Sequence, residues 1–264
     1  RKLWIQGLGL GVDEVSIRWL LIQRYRFWRA LHDRNENASG WYVHGPTEKI
    51  GNLDDQRRIF FENVGLQVLE ISKAEEANLQ KLKAYLWKRK SDAYLDGQLK
   101  ATVFSEFSFD AAGKLDAKVV DAQSSVKQKP GLRGQIQKNA AEDKMDYVSK
   151  ALELSLKYAY MTKGELLDFF SKATLSEKED GTLVATAENV YMKGDKLTVY
   201  VDPKTNLFKY KEFKSLLGND PIDGQINYES FSTGVSHVST TIMNMPAQKM
   251  KIDAKNQDYS QRVK

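Results

Sequence analysis

The residues most able to do chemistry in this chain are its three histidines, His32, His44 and His237. Proton transfer or metal binding would need one of them beside a carboxylate or a second ligand. His237 alternates with Val235 and Ser239, an ordinary strand position, and no such partner stands near it in sequence. Gly234-Val235-Ser236-His237 lacks the second glycine of a nucleophile elbow and does not lead into a helix, which argues against a serine hydrolase. In Gly7-Leu8-Gly9-Leu10-Gly11 the third glycine is misplaced for a dinucleotide loop, and no βαβ unit surrounds it. Neither a paired-histidine helix nor an acidic calcium loop is present. There is no cysteine, so thiol catalysis, disulfides and cysteine-ligated metal are excluded. An enzyme using scattered carboxylates would need two acids converging in one cleft, and nothing in the sequence predicts that. The expectation is a non-enzymatic protein without metal or cofactor.

What must instead carry the function is a set of apolar strand faces. From Asp195 to Arg262 the chain is a near-continuous series of alternating strands. Leu197, Val199 and Val201 share one face of the first, with Thr198, Tyr200 and Asp202 on the other; Met250, Ile252 and Ala254 oppose Lys249, Lys251, Asp253 and Lys255 in the last. Extended backbone sends successive side chains to opposite sides, so each strand has one face to bury and one for water. Such a sheet is antiparallel and covers something apolar.

The 41% hydrophobic content supports a real core, and the 28% charged content does not suit a membrane-embedded protein. Forty basic residues against thirty-five acidic ones give a net charge of +5, well mixed along the chain and unlike a nucleic-acid binder. No run of eighteen apolar residues and no signal-peptide pattern appears. The chain begins at Arg1 rather than methionine, which predicts a fragment or trimmed product.

Residues 1–62 differ from the rest. Trp4, Trp19, Trp28 and Trp41 fall there, and residues 15–31 place Ile17, Leu20, Leu21, Trp28 and Leu31 at roughly helical spacing among arginines. A basic amphipathic helix of this kind suits a membrane surface or a partner, although its arginines do not keep to one face. This segment reads as an extension that need not belong to the native domain.

The domain spans 63–264. Ser72 and Glu75 have capping-box spacing and predict a helix start, followed by a stripe of Leu79, Leu82 and Leu86. Residues 87–95 and 98–109 predict two strands joined at Asp96-Gly97, and 114–120 a third. Residues 124–138 read as a basic loop with Lys127, Lys129, Arg133 and Lys138. A helix follows with Met145, Val148, Leu152, Leu156 and Ala159 on one face. A second helix opens at Thr162 and Glu165, and strands resume at Thr182. Helices segregated from an antiparallel sheet make an α+β domain.

The aromatic and methionine content of the strands exceeds what one sheet face usually needs, and methionine adapts to irregular ligands. Val103, Phe107, Leu197, Val199, Phe208, Tyr210, Tyr228, Ile242 and Met243 are the candidate cavity lining. A plain core packed under the helices accounts for the same residues.

The C-terminal half carries a resemblance. Gly194-Asp195, Leu197-Thr198-Val199-Tyr200-Val201-Asp202-Pro203 with Thr205, then Asp220-Pro221, then Gly234, Ser236, Ser239 and Thr240, then Pro246-Ala247 with Lys249, and Asn256 with Tyr259, resemble uncharacterised bacterial envelope proteins. Their architecture is similar to the lipoprotein carriers LolA and LolB. Residues 86–113 also fit, with Trp87, Gly97 and Asp110-Ala111-Ala112-Gly113. The resemblance implies a curved antiparallel sheet forming a half-open β-barrel with a helical lid, whose apolar concave face shelters lipid or lipoprotein acyl chains. It implies a periplasmic or outer-membrane-associated location, peripheral membrane contact and an envelope protein as a further partner. The alternative is an interaction module of an envelope assembly without a ligand cavity.

Overall fold

The computed structural model describes residues 67–110, 113–124 and 132–262. The extension 1–62, its basic amphipathic segment, and Lys127 and Lys129 lie outside the described residues.

Ten strands form one antiparallel sheet: β1 (Tyr85–Leu95), β2 (Gln98–Phe109), β3 (Leu115–Ser124), β4 (Thr174–Glu177), β5 (Leu183–Glu188), β6 (Lys196–Val201), β7 (Phe208–Leu217), β8 (Asp220–Ser230), β9 (Ser236–Met245) and β10 (Met250–Gln261). Their order is β3-β2-β1-β10-β9-β8-β7-β6-β5-β4. The sheet is open, with β3 and β4 at its edges. This is the α+β architecture that the strand and helix pattern implies, and its open antiparallel sheet agrees with the half-open barrel that the resemblance implies.

Two meanders make up the sheet. Each strand pairs with its sequence neighbour except at one seam, where β1 lies against β10 in a register running from Tyr85–Gln261 to Leu95–Met250. Asp96 and Gly97, both at positive φ, close the β1–β2 hairpin as the sequence predicts. Further on, Asp202 accepts the Lys204 amide at 2.7 Å, so the Asp202-Pro203 turn is held by its own side chain.

Three described helices accompany the sheet: α1 (67–82), α2 (Leu132–Ala159) and α3 (Lys163–Lys172). The chain falls into two compact units. One contains α3 and the start of α1 up to Lys73, and the other contains Ala74–Thr162 and Ala173 onward. In the first, Leu69 and Leu167 are buried together, and α3 also buries Leu166, Phe169 and Phe170.

The helix boundaries correct two sequence readings. Ser72 is interior to α1: its hydroxyl donates to the Val68 carbonyl at 2.9 Å, and no cap forms there. The basic stretch is shorter than a 124–138 loop, because β3 runs to Ser124 and α2 begins at Leu132, taking Arg133 and Lys138 into helix. The buried stripe of α2 is also rotated from the expected one. Val148, Ala151, Ser155, Tyr158 and Ala159 are buried, whereas Leu152 and Leu156 are half-buried and Met145 is exposed.

Candidate functional site

The inner face of the sheet can be followed residue by residue. Val103 pairs with Ser91, Ser91 with Ala254, Ala254 with Thr241, Thr241 with Ile226, Ile226 with Lys211, and Lys211 with Val199. A parallel row joins Ala93, Ile252, Met243, Gly224, Phe213 and Leu197. All of these residues are buried. The face is therefore mostly apolar, with two cations in it: Arg89 is 2% exposed and Lys211 is 0% exposed.

The nine candidate lining residues divide between the two faces. Val103, Phe107, Leu197, Val199, Phe208 and Met243 are buried on the inner face, and half-buried Tyr228 stands beside Phe208 with ring centroids 6.0 Å apart. Tyr210 does not join them. A bulge opposite Tyr200–Val201 puts it on the outer face, where its hydroxyl donates to Glu212 at 2.9 Å and its ring lies 5.3 Å from Tyr200. Ile242 also faces outward, because its neighbour Met243 is inward and adjacent residues of a strand cannot share a face.

At one end of the face, aromatic rings pack closely. Trp87 stacks on Phe107 at 5.7 Å and Tyr259 at 5.5 Å, with Phe109 and Tyr160 beyond. His237 lies between Phe231 at 4.2 Å and Tyr259 at 4.3 Å, and burial lowers its proton affinity. It packs as a neutral ring, the structural role its strand position suggested.

Lys211 lies under the end of α2. Its Nζ donates to the carbonyls of Tyr158 at 3.0 Å and Ala159 at 3.2 Å, the unsatisfied acceptors at a helix C-terminus. The ammonium also sits 4.0 Å from the Phe208 ring and 5.4 Å from Tyr228. Tyr228 adds its hydroxyl to the Ala159 carbonyl at 2.8 Å. Nearby, the Glu75 carboxylate accepts the Phe208 amide at 2.7 Å. Burial pushes its pKa up to about 7, against the opposing pull of Lys211 and of the Phe208 amide.

A second polar anchor fixes α2 to the sheet. Tyr158 donates to Asp195 at 2.7 Å and stacks on Phe213 at 4.3 Å. Asp195 is fully buried and takes the amides of Val190, Tyr191 and Met192 as well, which explains why an acid follows Gly194 in this turn.

Between α1, the end of α2 and the sheet is a cavity of about 30 Å³ whose wall includes Glu75, Leu82, Tyr160, Phe208, Tyr228 and His237. It has room for one water. Sequence reasoning missed Arg89 and Lys211 as inner-face residues and Glu75 on α1 as the acidic neighbour of Lys211. For Arg89 the signal was in the parity it shares with Trp87, Ser91 and Ala93.

No family model matches the chain, and no curated protein matches it. Solved structures do. One is a DUF1329 family protein from Desulfovibrio piger, at 8% identity and a TM-score of 0.40, covering 75% of this chain and 92% of that one. Another is a LolA superfamily protein from Nitrosomonas europaea, at 13% identity and a TM-score of 0.29, covering 71% and 93%. The likeness is one of fold. Among the described residues no group of three His, Asp or Glu side chains could hold a metal ion, and no helix is long and apolar enough to cross a membrane.

Proposed function

We propose that this protein binds lipid or lipoprotein acyl chains in the bacterial envelope through the inner face of its open sheet, without catalysing a reaction. The observation that carries this reading is the apolar surface extending from Phe107 and Val103 through Met243 to Val199 and Leu197. Each methylene sheltered there would contribute about 0.8 kcal/mol, so a chain needs no specific polar partner to bind.

The way α2 is seated supports the reading. Several of its buried residues are small, namely Ala151, Ser155 and Ala159, and its C-terminal end is tied down by polar bonds from Lys211, Tyr228 and Tyr158. Once this end lifts, the same polar groups can bond to water, so the fastening is reversible even though Tyr158 also stacks on Phe213. The cavity is water-sized, so an acyl chain has to displace this end of α2 to reach the inner face.

Native mass spectrometry of the protein purified from bacterial cells tests the proposal. Co-purified lipid or acyl species are expected. A lipid-free spectrum, together with no binding of added fatty acid, would overturn it. A second reading, an interaction module of an envelope assembly, is favoured by the edge strand β3, where Val119 is 61% exposed and Val120 is 47% exposed. That reading predicts a protein partner lost when both valines become lysine.

A further inference from the structure

Arg89 is a buried cation without a counter-charge. Its Nε donates to Asn256 Oδ1 at 3.0 Å and one terminal nitrogen donates to Thr241 Oγ1 at 3.2 Å, both neutral acceptors. Its remaining nitrogen, Nη1, is buried and hydrogen-bonded to nothing. The guanidinium stands 5.3 Å from the Phe107 ring, and no salt bridge reaches it among the described residues. A charge in this position costs several kcal/mol unless it is paired, and buried arginines are ordinarily paired with carboxylates or phosphates.

A second orphan lies close by. The Tyr160 hydroxyl is also buried without a partner, and the Arg89 charge acts on it electrostatically. Tyr160 lines the water-sized cavity. Val238 lines it too, and its carbonyl holds Asn256, the acceptor of Arg89 Nε. Two unsatisfied donors of matching chemistry thus stand at the aromatic end of the inner face, one charged and one neutral. An oxyanion would satisfy both: one oxygen on Nη1 in a charge-assisted bond, and an oxygen accepting from the tyrosine.

We propose that Arg89 and Tyr160 form a subsite for a carboxylate or phosphate oxyanion, so that the ligand of the inner face is an anionic amphiphile with its head at Arg89 and its chain along the sheet. This rests on the acyl-chain reading and specifies the head group. The void is the size of one water, so a bound head group also shifts the Ala159–Met161 segment that lines it.

The test compares calorimetric binding of decanoate, decan-1-ol and inorganic phosphate to the full chain, its Tyr160→Phe variant and its Arg89→Gln variant. Tyr160→Phe keeps the ring contacts with Trp87 and Phe109 and removes only the unpartnered hydroxyl, so it retains the fold even where Arg89→Gln does not. Decanoate should bind the full chain about ten- to hundredfold more tightly than decanol, the difference one charge-assisted hydrogen bond makes. Tyr160→Phe should narrow that ratio severalfold without weakening decanol. Equal binding of the two, or a ratio unchanged in Tyr160→Phe, overturns the oxyanion subsite and leaves the acyl-chain reading standing. Binding of phosphate alone, weakened in Tyr160→Phe, supports the subsite and overturns the acyl-chain reading. Binding of none of the three overturns both.

Discussion

Arg89 and Lys211 are two cations buried on the same face of the same sheet, and their surroundings differ. Lys211 has two helix-terminal carbonyls, two aromatic rings and the field of Glu75 around it. Arg89 has two neutral side-chain acceptors and an unused donor. The same burial therefore has two meanings. At Lys211 the charge is consumed in fastening α2 to the sheet. At Arg89 part of its binding capacity is left over, which is why the proposed head-group site lies there.

The largest effect is expected from Lys211→Met, which leaves two carbonyls and the Glu75 carboxylate without their cation. Unfolding free energy measured by urea denaturation should drop by about 3–5 kcal/mol. A loss below about 1 kcal/mol would erase the contrast with Arg89.

Gly224→Ala probes the packing on the Lys211 side. A Cβ at Gly224 would run into the Phe213 ring, the same ring on which Tyr158 stacks. We expect a loss of about 1–3 kcal/mol by the same measurement, the usual cost of overpacking a core.

Arg89→Met should be milder, a loss of about 1–2 kcal/mol, because it removes a charge that has no counter-ion and strands only the neutral acceptors of Asn256 and Thr241. A loss as large as that of Lys211→Met would mean that Arg89 is a structural fastener as well, and the comparison would fail.

The last expected effect is a change of slope with pH. The folded-state pKa of Glu75, about 7, lies above its ordinary value of 4.5, so between these two pH values the folded protein holds a proton that the unfolded chain has released. Glu75 therefore contributes a fall in stability as pH rises from about 4.5 to about 7, and no further change above that. His237 contributes the opposite slope near its ordinary pKa of 6.5, since its affinity for a proton is lowered by burial. It is common to both proteins in a comparison of the parent with Glu75→Gln. The difference between their thermal-unfolding profiles should isolate the Glu75 slope, and parallel profiles from pH 4.5 to 7 would refute it.

Much of the sheet was legible because alternation is a local property. The Asp96-Gly97 turn, the inward Leu197-Val199-Val201 face and the inward Met250-Ile252-Ala254 face all follow from it. Errors arose where a distant contact won. Ser72 and Glu75 have the spacing of a cap, yet Glu75 turns to the Phe208 amide, a partner 133 residues away. Tyr210 has the parity of Phe208, but one extra residue in β7 reverses the faces between them. The helix stripe shifted because Tyr158 is drawn to Asp195 and Ser215, so Ala151 and Ser155 are fully buried while Leu156 packs only partly against the aromatic cluster.

By itself the sequence determined the strands, their turns and the chemistry of each face, since side-chain direction in an extended chain depends only on neighbouring residues. Tertiary structure alone decided that β1 pairs with β10, and that this seam and the β7 bulge carry a lysine and an arginine inside. Charged residues on a strand read locally as water-facing. Which of them are buried depends on partners far away in the chain, and only the assembled sheet and helices bring those partners together.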